Sequence, residues 1–323
     1  MTHVANLLFK TWTPGTKITE PGAYLNVDMT AYHGDICDGP SVSSSGLRRI
    51  FNESPRHFWD NCYLNPNREE RPATEAMILG RAAHHIFLGE ADFYKHFVRQ
   101  PDRYPDSKTG APKAWSNNAD YCREWNGKQA LAGLTVINDK MLEQIRGMGQ
   151  ALAEEPIVRG GILNGHVECS LFWKDDETGI WIKSRPDNIP VAGAEASDLK
   201  CVSSVADDAL SRGLADHGYH AQGACVREAF DKVWGIKLEH FTLVYVEQKR
   251  PHCVDFREPD ELDQGYEENH AALRLMKRGL ETGHWPGPKG QYGDGSPLSR
   301  PKYAADRAAA RLAAINAEFA GAR

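Results

Sequence analysis

Between Ser43 and Leu88 apolar residues recur at three- and four-residue intervals, broken by residues that start helices. Ser44 or Ser45 can cap a short helix through Phe51, Ser54-Pro55 opens a second through about Tyr63, and a third runs from about Thr74 to Leu88. Two more helices fit about 117–131 and 138–153, after a polar loop at 101–116. The period then shortens to two. His166–Lys174, Gly179–Ile189 and Ala196–Val202 read as three consecutive strands, with turn formers such as Asp175–Gly179 between them. Helices at 205–214 and 217–233, strands at 239–249 and 252–257, and a long amphipathic helix from Pro259 to Thr282 complete the pattern. Residues 1–40 hold turn formers without a sustained period and read as an extended arm with one short strand, and the tail from Pro286 is Gly/Pro-rich, then Ala/Arg-rich. This order predicts an α/β fold, or α+β, on a mixed sheet with an N-terminal helical part: an arm at 1–40, one contiguous unit at 41–285 and a tail at 286–323.

With 41% hydrophobic and 25% charged residues, the 323-residue chain has the composition of an ordinary globular protein. Its 38 basic against 44 acidic residues give a formal net charge of −6, which argues against a generic nucleic-acid coat but leaves room for an enzyme with a local basic groove. No run approaches the roughly 18 apolar residues of a bilayer-spanning helix, and the N-terminus lacks a basic-then-apolar leader pattern, so a soluble, cytoplasmic protein without membrane contact is expected. The seven cysteines are widely spaced and never form C-x-x-C, which speaks against a disulfide scaffold or a Cys-based zinc or iron–sulfur site.

The chemistry concentrates in residues 181–205, WIKSRPDNIPVAGAEASDLKCVSSV. Side chains alternate along a strand, so Asp198 and Lys200 share a face with Leu199 between them, and a turn brings Asp187 back toward them. Two carboxylates, a backbone carbonyl and one built-in cation suit phosphodiester hydrolysis with Mg²⁺ or Mn²⁺. Short D-x-K patterns also arise by chance, and the same residues can be a Pro-Asp-Asn turn and a solvated edge pair.

The order Pro186-Asp187, ten residues, then Asp198-Leu199-Lys200 resembles the core of the PD-(D/E)xK nucleases. More specifically, SSSGLRRIFNESPRHFW (43–59), GRAAHHIFLGE (80–90), ECSLFWKDDETGIWIKSRPD (168–187), DLKCVSS (198–204) and YHAQGACVREAF (219–230) together resemble the phage-type RecE exonucleases, exodeoxyribonuclease VIII-like enzymes near the RecB nuclease domains. The resemblance implies metal ligation by His84 (in the G-x-x-x-H of Gly80–His84), Asp187, Asp198 and the Leu199 carbonyl, with Lys200 as the catalytic lysine. Gln222, with Tyr219 one turn earlier, matches the Gln of the RecB-type motif and implies contact with a DNA phosphate or positioning of Lys200, although Val226 stands where that motif has Tyr.

Glu168 reads equally as an outer-shell metal contact or a solvent-facing strand residue, and Ser44, Arg48 and Arg49 as a clamp for a terminal phosphate or as an ordinary helix start with exposed arginines. Trp59, Trp173 and Trp181 can stack on an end base or fill the core, and Lys249 and Arg250 can touch the DNA backbone. The resemblance further implies digestion of linear double-stranded DNA from its 5′ ends, 3′ overhangs for a single-strand annealing protein, and a homo-oligomeric ring whose channel alone is positive. The rivals are a related endonuclease or single-strand nuclease, and a non-catalytic DNA-end-binding protein, whose signature would be a missing acid or lysine.

Overall fold

The computed structural model describes residues 7–69, 73–89, 93–190, 194–288, 299 and 301–320. The described residues open with β1 (Phe9–Thr11), β2 (Gly22–Leu25), the short helix α1 (Met29–His33) and β3 (Ser41–Ser43). Helices α2 (Ser44–Asn52), α3 (Pro55–Asp60) and α4 (Glu75–Phe87) each start at a hydroxyl cap, where Ser43, Ser54 and Thr74 accept hydrogen bonds from the N–H groups of Gly46, His57 and Met77. The cap of α2 is thus Ser43, one residue before the serines expected from the sequence.

Next come α5 (Phe93–His96), β4 (Phe97–Arg99), β5 (Arg103–Pro105), β6 (Pro112–Ala114), α6 (Asp120–Leu131), β7 (Thr135–Ile137), α7 (Asp139–Glu154) and α8 (Pro156–Arg159). The expected loop at 101–116 contains the β5–β6 hairpin. The rest of the core is β8 (Gly165–Val167), β9 (Ser170–Lys174), β10 (Trp181–Ser184), β11 (Asn188–Pro190), β12 (Glu195–Val202), α9 (Asp207–His217), α10 (Tyr219–Trp234), β13 (His240–Glu247), β14 (Val254–Arg257) and α11 (Leu262–Thr282). The chain divides into two units, residues 1–286 and 287–323, and the second contains the helix α12 (Lys302–Ala320). Among the described residues no helix is long and apolar enough to cross a membrane.

Two mixed five-stranded sheets carry the first unit, in the orders β14-β13-β12-β11-β8 and β1-β2-β9-β10-β3. Strand β12 runs parallel to β13, with Asp198 opposite Leu243 and Lys200 opposite Tyr245, and antiparallel to β11. Both faces of this sheet are covered. Leu199, Val244 and Val246 pack with Leu79, Ile145 and Met148 of α4 and α7, while Ala196, Leu243 and Tyr245 face Val226 and Phe230 of α10 and Leu273 of α11. The close seating of α11 on α10 depends on Gly265, where a Cβ would lie 2.7 Å from the Ala221 backbone.

The sequence sets residues 1–40 apart as an arm, whereas in the structure β1 and β2 from that stretch join the second sheet. Trp12, Ile18, Tyr24, Val27, Tyr32 and Ile36 bury themselves against Phe172 and Trp181, the outward face of β9 and β10. Trp173 and Ile182 on the opposite face join the main core.

Helix α11 is tied to that core by a buried ionic contact. His270 places Nδ1 3.5 Å from Asp175 Oδ1 and Nε2 3.4 Å from Glu228 Oε1, while Trp173 Nε1 donates to the same Glu228 oxygen at 3.2 Å. Pairing with Glu228, opposed by burial and supported by the charges of Glu228 and Asp175, raises the His270 pKa above its ordinary 6.5, with Arg274 pulling the other way. A raised folded-state pKa means that the imidazolium contributes stability in full below about pH 6.5 and loses it as the pH climbs through the folded value. The wild-type advantage over His270→Gln in urea unfolding is therefore expected to shrink from pH 6 to pH 8.5. A pH-independent difference would contradict this assignment.

Candidate active site

Asp187 lies in the break between β10 and β11, where the chain leaves one sheet for the other. Its Oδ2 accepts the Leu199 N–H at 2.6 Å, so the edge of β12 fixes the carboxylate. Its backbone carbonyl accepts the Glu168 N–H at 3.1 Å. Glu168 itself has φ of 51°, a left-handed conformation that interrupts the strand expected over 166–174 and turns its side chain toward Asp187. From α4, His84 brings Nδ1 to 3.6 Å from Asp187 Oδ2. Donor atoms of His84, Glu168 and Asp187 all lie within 4.8 Å of one another.

Beside this trio is a second group. Asp198 and Lys200 share a face of β12 as alternation requires, and Lys200 Nζ bonds Asp198 Oδ1. Gln222 of α10 donates through Nε2 to Asp198 Oδ2 at 2.5 Å. The Lys200 ammonium also lies 4.8 Å from the centre of the Tyr219 ring. Gly218, at φ of 62°, makes the sharp α9–α10 junction that presents Tyr219 and Gln222 to the strand.

Burial, then the charge of Asp198, pushes the Asp187 carboxyl up to about 6, against the pull of His84, Lys200 and the Leu199 N–H. Burial would lower Lys200, but the charges of Asp198 and Asp187 outweigh it and hold the ammonium above its ordinary range. An acid raised in this way is short of positive charge, and an imidazole with two carboxylates is a donor set that accepts a hard divalent ion. The residues fit Mg²⁺ or Mn²⁺. Saturating Mn²⁺ is expected to raise the unfolding midpoint, since a ligand at a hundred times its Kd adds about 2.7 kcal/mol. Asp187→Asn should remove most of the rise in scanning calorimetry, with EDTA as the reference.

Of the residues singled out from the sequence, His84, Glu168 and Asp187 thus form one group, and Asp198, Lys200, Gln222 and Tyr219 another. Asp198, expected among the metal ligands, has both oxygens engaged by Lys200 and Gln222, and Glu168 lies with His84 and Asp187. The Leu199 side chain points into the α4–α7 core while its N–H holds Asp187.

Ser44 is buried, and Arg48 donates to the backbone carbonyls of Ser44 (3.4 Å) and His217 (2.6 Å). Arg49 pairs with Glu53 at 3.3 Å and lines a cavity of about 340 Å³ together with Ser43, Ser45, Tyr63 and Lys183. Trp173 and Trp181 are core residues, and Trp59 stacks on Trp285 with centroids 4.4 Å apart.

Two cations escape a reading of the sequence that looks only at acids. Lys183 is 2% exposed, donates to the Tyr32 carbonyl at 2.6 Å, and is drawn down to about 8 by burial. Arg185 Nη1 lies 3.5 Å from Glu168 Oε2. Their signal is the basic spacing K-x-R at 183–185 directly before the Pro186-Asp187 turn.

The chain belongs to the family described as a PDDEXK-like domain of unknown function (DUF3799), which matches residues 43–292. The fold is that of the PD-(D/E)xK nucleases. It is similar to the crystal structure of a protein from Eubacterium rectale provisionally described as an exonuclease, at 14% identity and a TM-score of 0.55, covering 86% of this chain and 96% of that one. An alkaline exonuclease from Laribacter hongkongensis, 16% identical, overlaps at a TM-score of only 0.21 over 51% of this chain and 85% of its own. No curated protein matches the sequence.

Proposed function

We propose that the protein is a metal-dependent exodeoxyribonuclease of the RecE type, which digests linear double-stranded DNA from its 5′ ends and leaves 3′ overhangs for a single-strand annealing protein. The observation that carries this reading is the juxtaposition of the donor group His84, Glu168 and Asp187 with an ammonium, Lys200, held by Asp198 and Gln222. A bound Mg²⁺ or Mn²⁺ would supply Lewis acidity toward a phosphodiester and a lowered pKa for water.

The chain's own groups do the rest. Lys200 stays protonated and offers its charge to the anionic transition state. Asp198 and Gln222 fix the direction in which that charge points, a role for Gln222 that differs from direct phosphate contact. Asp198 also keeps the lysine from collapsing onto the metal ligands. Tyr219 closes the apolar side of the ammonium.

End recognition is placed at the cavity beside the start of α2. Its lining of Lys183, Arg49 and serine hydroxyls suits a terminal phosphate, the buried Lys183 being poor in water and rich in charge. Assembly into a ring would reconcile DNA binding with a net charge of −6, because only the channel need be positive.

The test uses duplexes labelled separately at each end and carrying either a 5′ phosphate or a 5′ hydroxyl. Loss should proceed from the 5′ label and be faster with the phosphate, and Arg49→Ala should reduce that preference several-fold. Release from the 3′ label first, or internal cuts, would refute the polarity and favour an endonuclease of the same fold.

A further inference from the structure

Arg185 lies two residues before Asp187 with its side chain only 7% exposed, and it reaches from the N-terminal segment to Glu168. Its Nε donates to Ser170 Oγ at 2.8 Å, its Nη2 bonds the Val27 carbonyl, and its Nη1 lies 2.7 Å from Met29 Sδ and 3.5 Å from Glu168 Oε2. The guanidinium carbon also sits 4.5 Å from the centre of the Tyr32 ring. Two stretches of chain, 27–32 and 168–170, therefore fix the guanidinium, and among these partners Glu168 is the carboxylate.

Glu168 needs such a partner. It lies on a left-handed backbone at φ of 51° with its side chain 26% exposed, so a carboxylate that is to stay beside His84 and Asp187 rather than turn to water has to be oriented, and Arg185 is one of the groups that orient it. The contact with Arg185 uses Oε2.

We propose that Arg185 is a positioning residue that holds Glu168 in the metal-binding group and, through Val27, Met29 and Tyr32, makes the N-terminal segment part of the support of that group. The inference rests on the reading of His84, Glu168 and Asp187 as a metal site. Two effects of the guanidinium oppose each other: its charge repels a cation, while its fork orients a ligand. Orientation wins here, because the guanidinium is already committed to Ser170, Val27 and Tyr32, so what it contributes to the site is a fixed direction for Glu168.

The test measures Mn²⁺ binding to the full chain without DNA, by electron paramagnetic resonance of the free ion, in the wild type, Arg185→Lys, Glu168→Gln, the double variant and Asp187→Asn. Lysine keeps the charge and the fold but loses the fork. Arg185→Lys should weaken Mn²⁺ binding about tenfold, the low end of the range for partners that orient ligands, and should weaken it no further in the Glu168→Gln background. Equal weakening in both backgrounds would mark Arg185 as a general structural tie, and unchanged or tighter binding in Arg185→Lys would show that orientation does not matter; either result overturns the proposal. If Asp187→Asn binds Mn²⁺ like the wild type, the metal-site reading fails as well. Loss of binding in Asp187→Asn beside an unaffected Arg185→Lys confines the failure to Arg185.

Discussion

Lys200→Gln is expected to lower the rate of metal-dependent DNA cleavage by about 10²–10³-fold, the loss seen when one preorganised group that stabilises transition-state charge is removed. Glutamine is the informative replacement. Asp198 is 2% exposed, and alanine would leave its Oδ1 without the donor that Lys200 supplies, mixing a folding defect with a chemical one. Glutamine can still donate to that oxygen, while Gln222 keeps the other, so the fold should survive and the charge alone should vanish. Single-turnover kinetics on linear duplex DNA should then show a fall in rate with little change in DNA affinity. A variant that retains more than a tenth of the wild-type rate would show that Lys200 serves only to neutralise Asp198.

Trp173→Ala is expected to destabilise the protein by about 3–5 kcal/mol, the range for deleting a large buried aromatic. Its indole is 1% exposed within the cluster formed by β9, β10, α10 and α11, and its Nε1–H is the bond that Glu228 shares with His270. The substitution both opens a cavity and leaves a buried carboxylate with one donor fewer. Since whole domains are stable by only about 5–15 kcal/mol, the urea midpoint should fall sharply. Trp59→Ala, at a half-buried residue whose main partner is Trp285, should cost about 1–2 kcal/mol. If Trp173 were instead a platform for a terminal base, its loss would change DNA binding and leave the midpoint nearly unmoved.

The sequence exposes Asp198 and Lys200 because a central strand obeys period two without interruption. Asp187 follows from the turn signal at Pro186. His84 and Gln222 have no such local signature: on a helix, a residue of either type looks the same whether it faces a strand or water, and only the resemblance of the surrounding segments picks them out.

Glu168 was ambiguous for a physical reason. Alternation over 166–174 suggests one unbroken strand, whereas the structure stops β8 at Val167 and restarts β9 at Ser170, so that a residue with positive φ can face Asp187. The break is set by a partner distant in sequence. Residues 1–40 hid their role differently. Strands of three and four residues are too short to display a period, and Trp12, Tyr24 and Tyr32 are spaced irregularly because they reach Phe172 and Trp181 from different short elements: the end of β1, strand β2 and helix α1.

The most direct measurement is the release of acid-soluble nucleotide from linear double-stranded DNA by the purified chain in Mg²⁺, in Mn²⁺ and in EDTA, beside Asp187→Asn and Lys200→Gln. Release that requires a divalent ion and is lost in both variants is the expected result. DNA left intact in both metals, with end binding retained, would contradict the nuclease reading and leave a fold that holds DNA without cutting it.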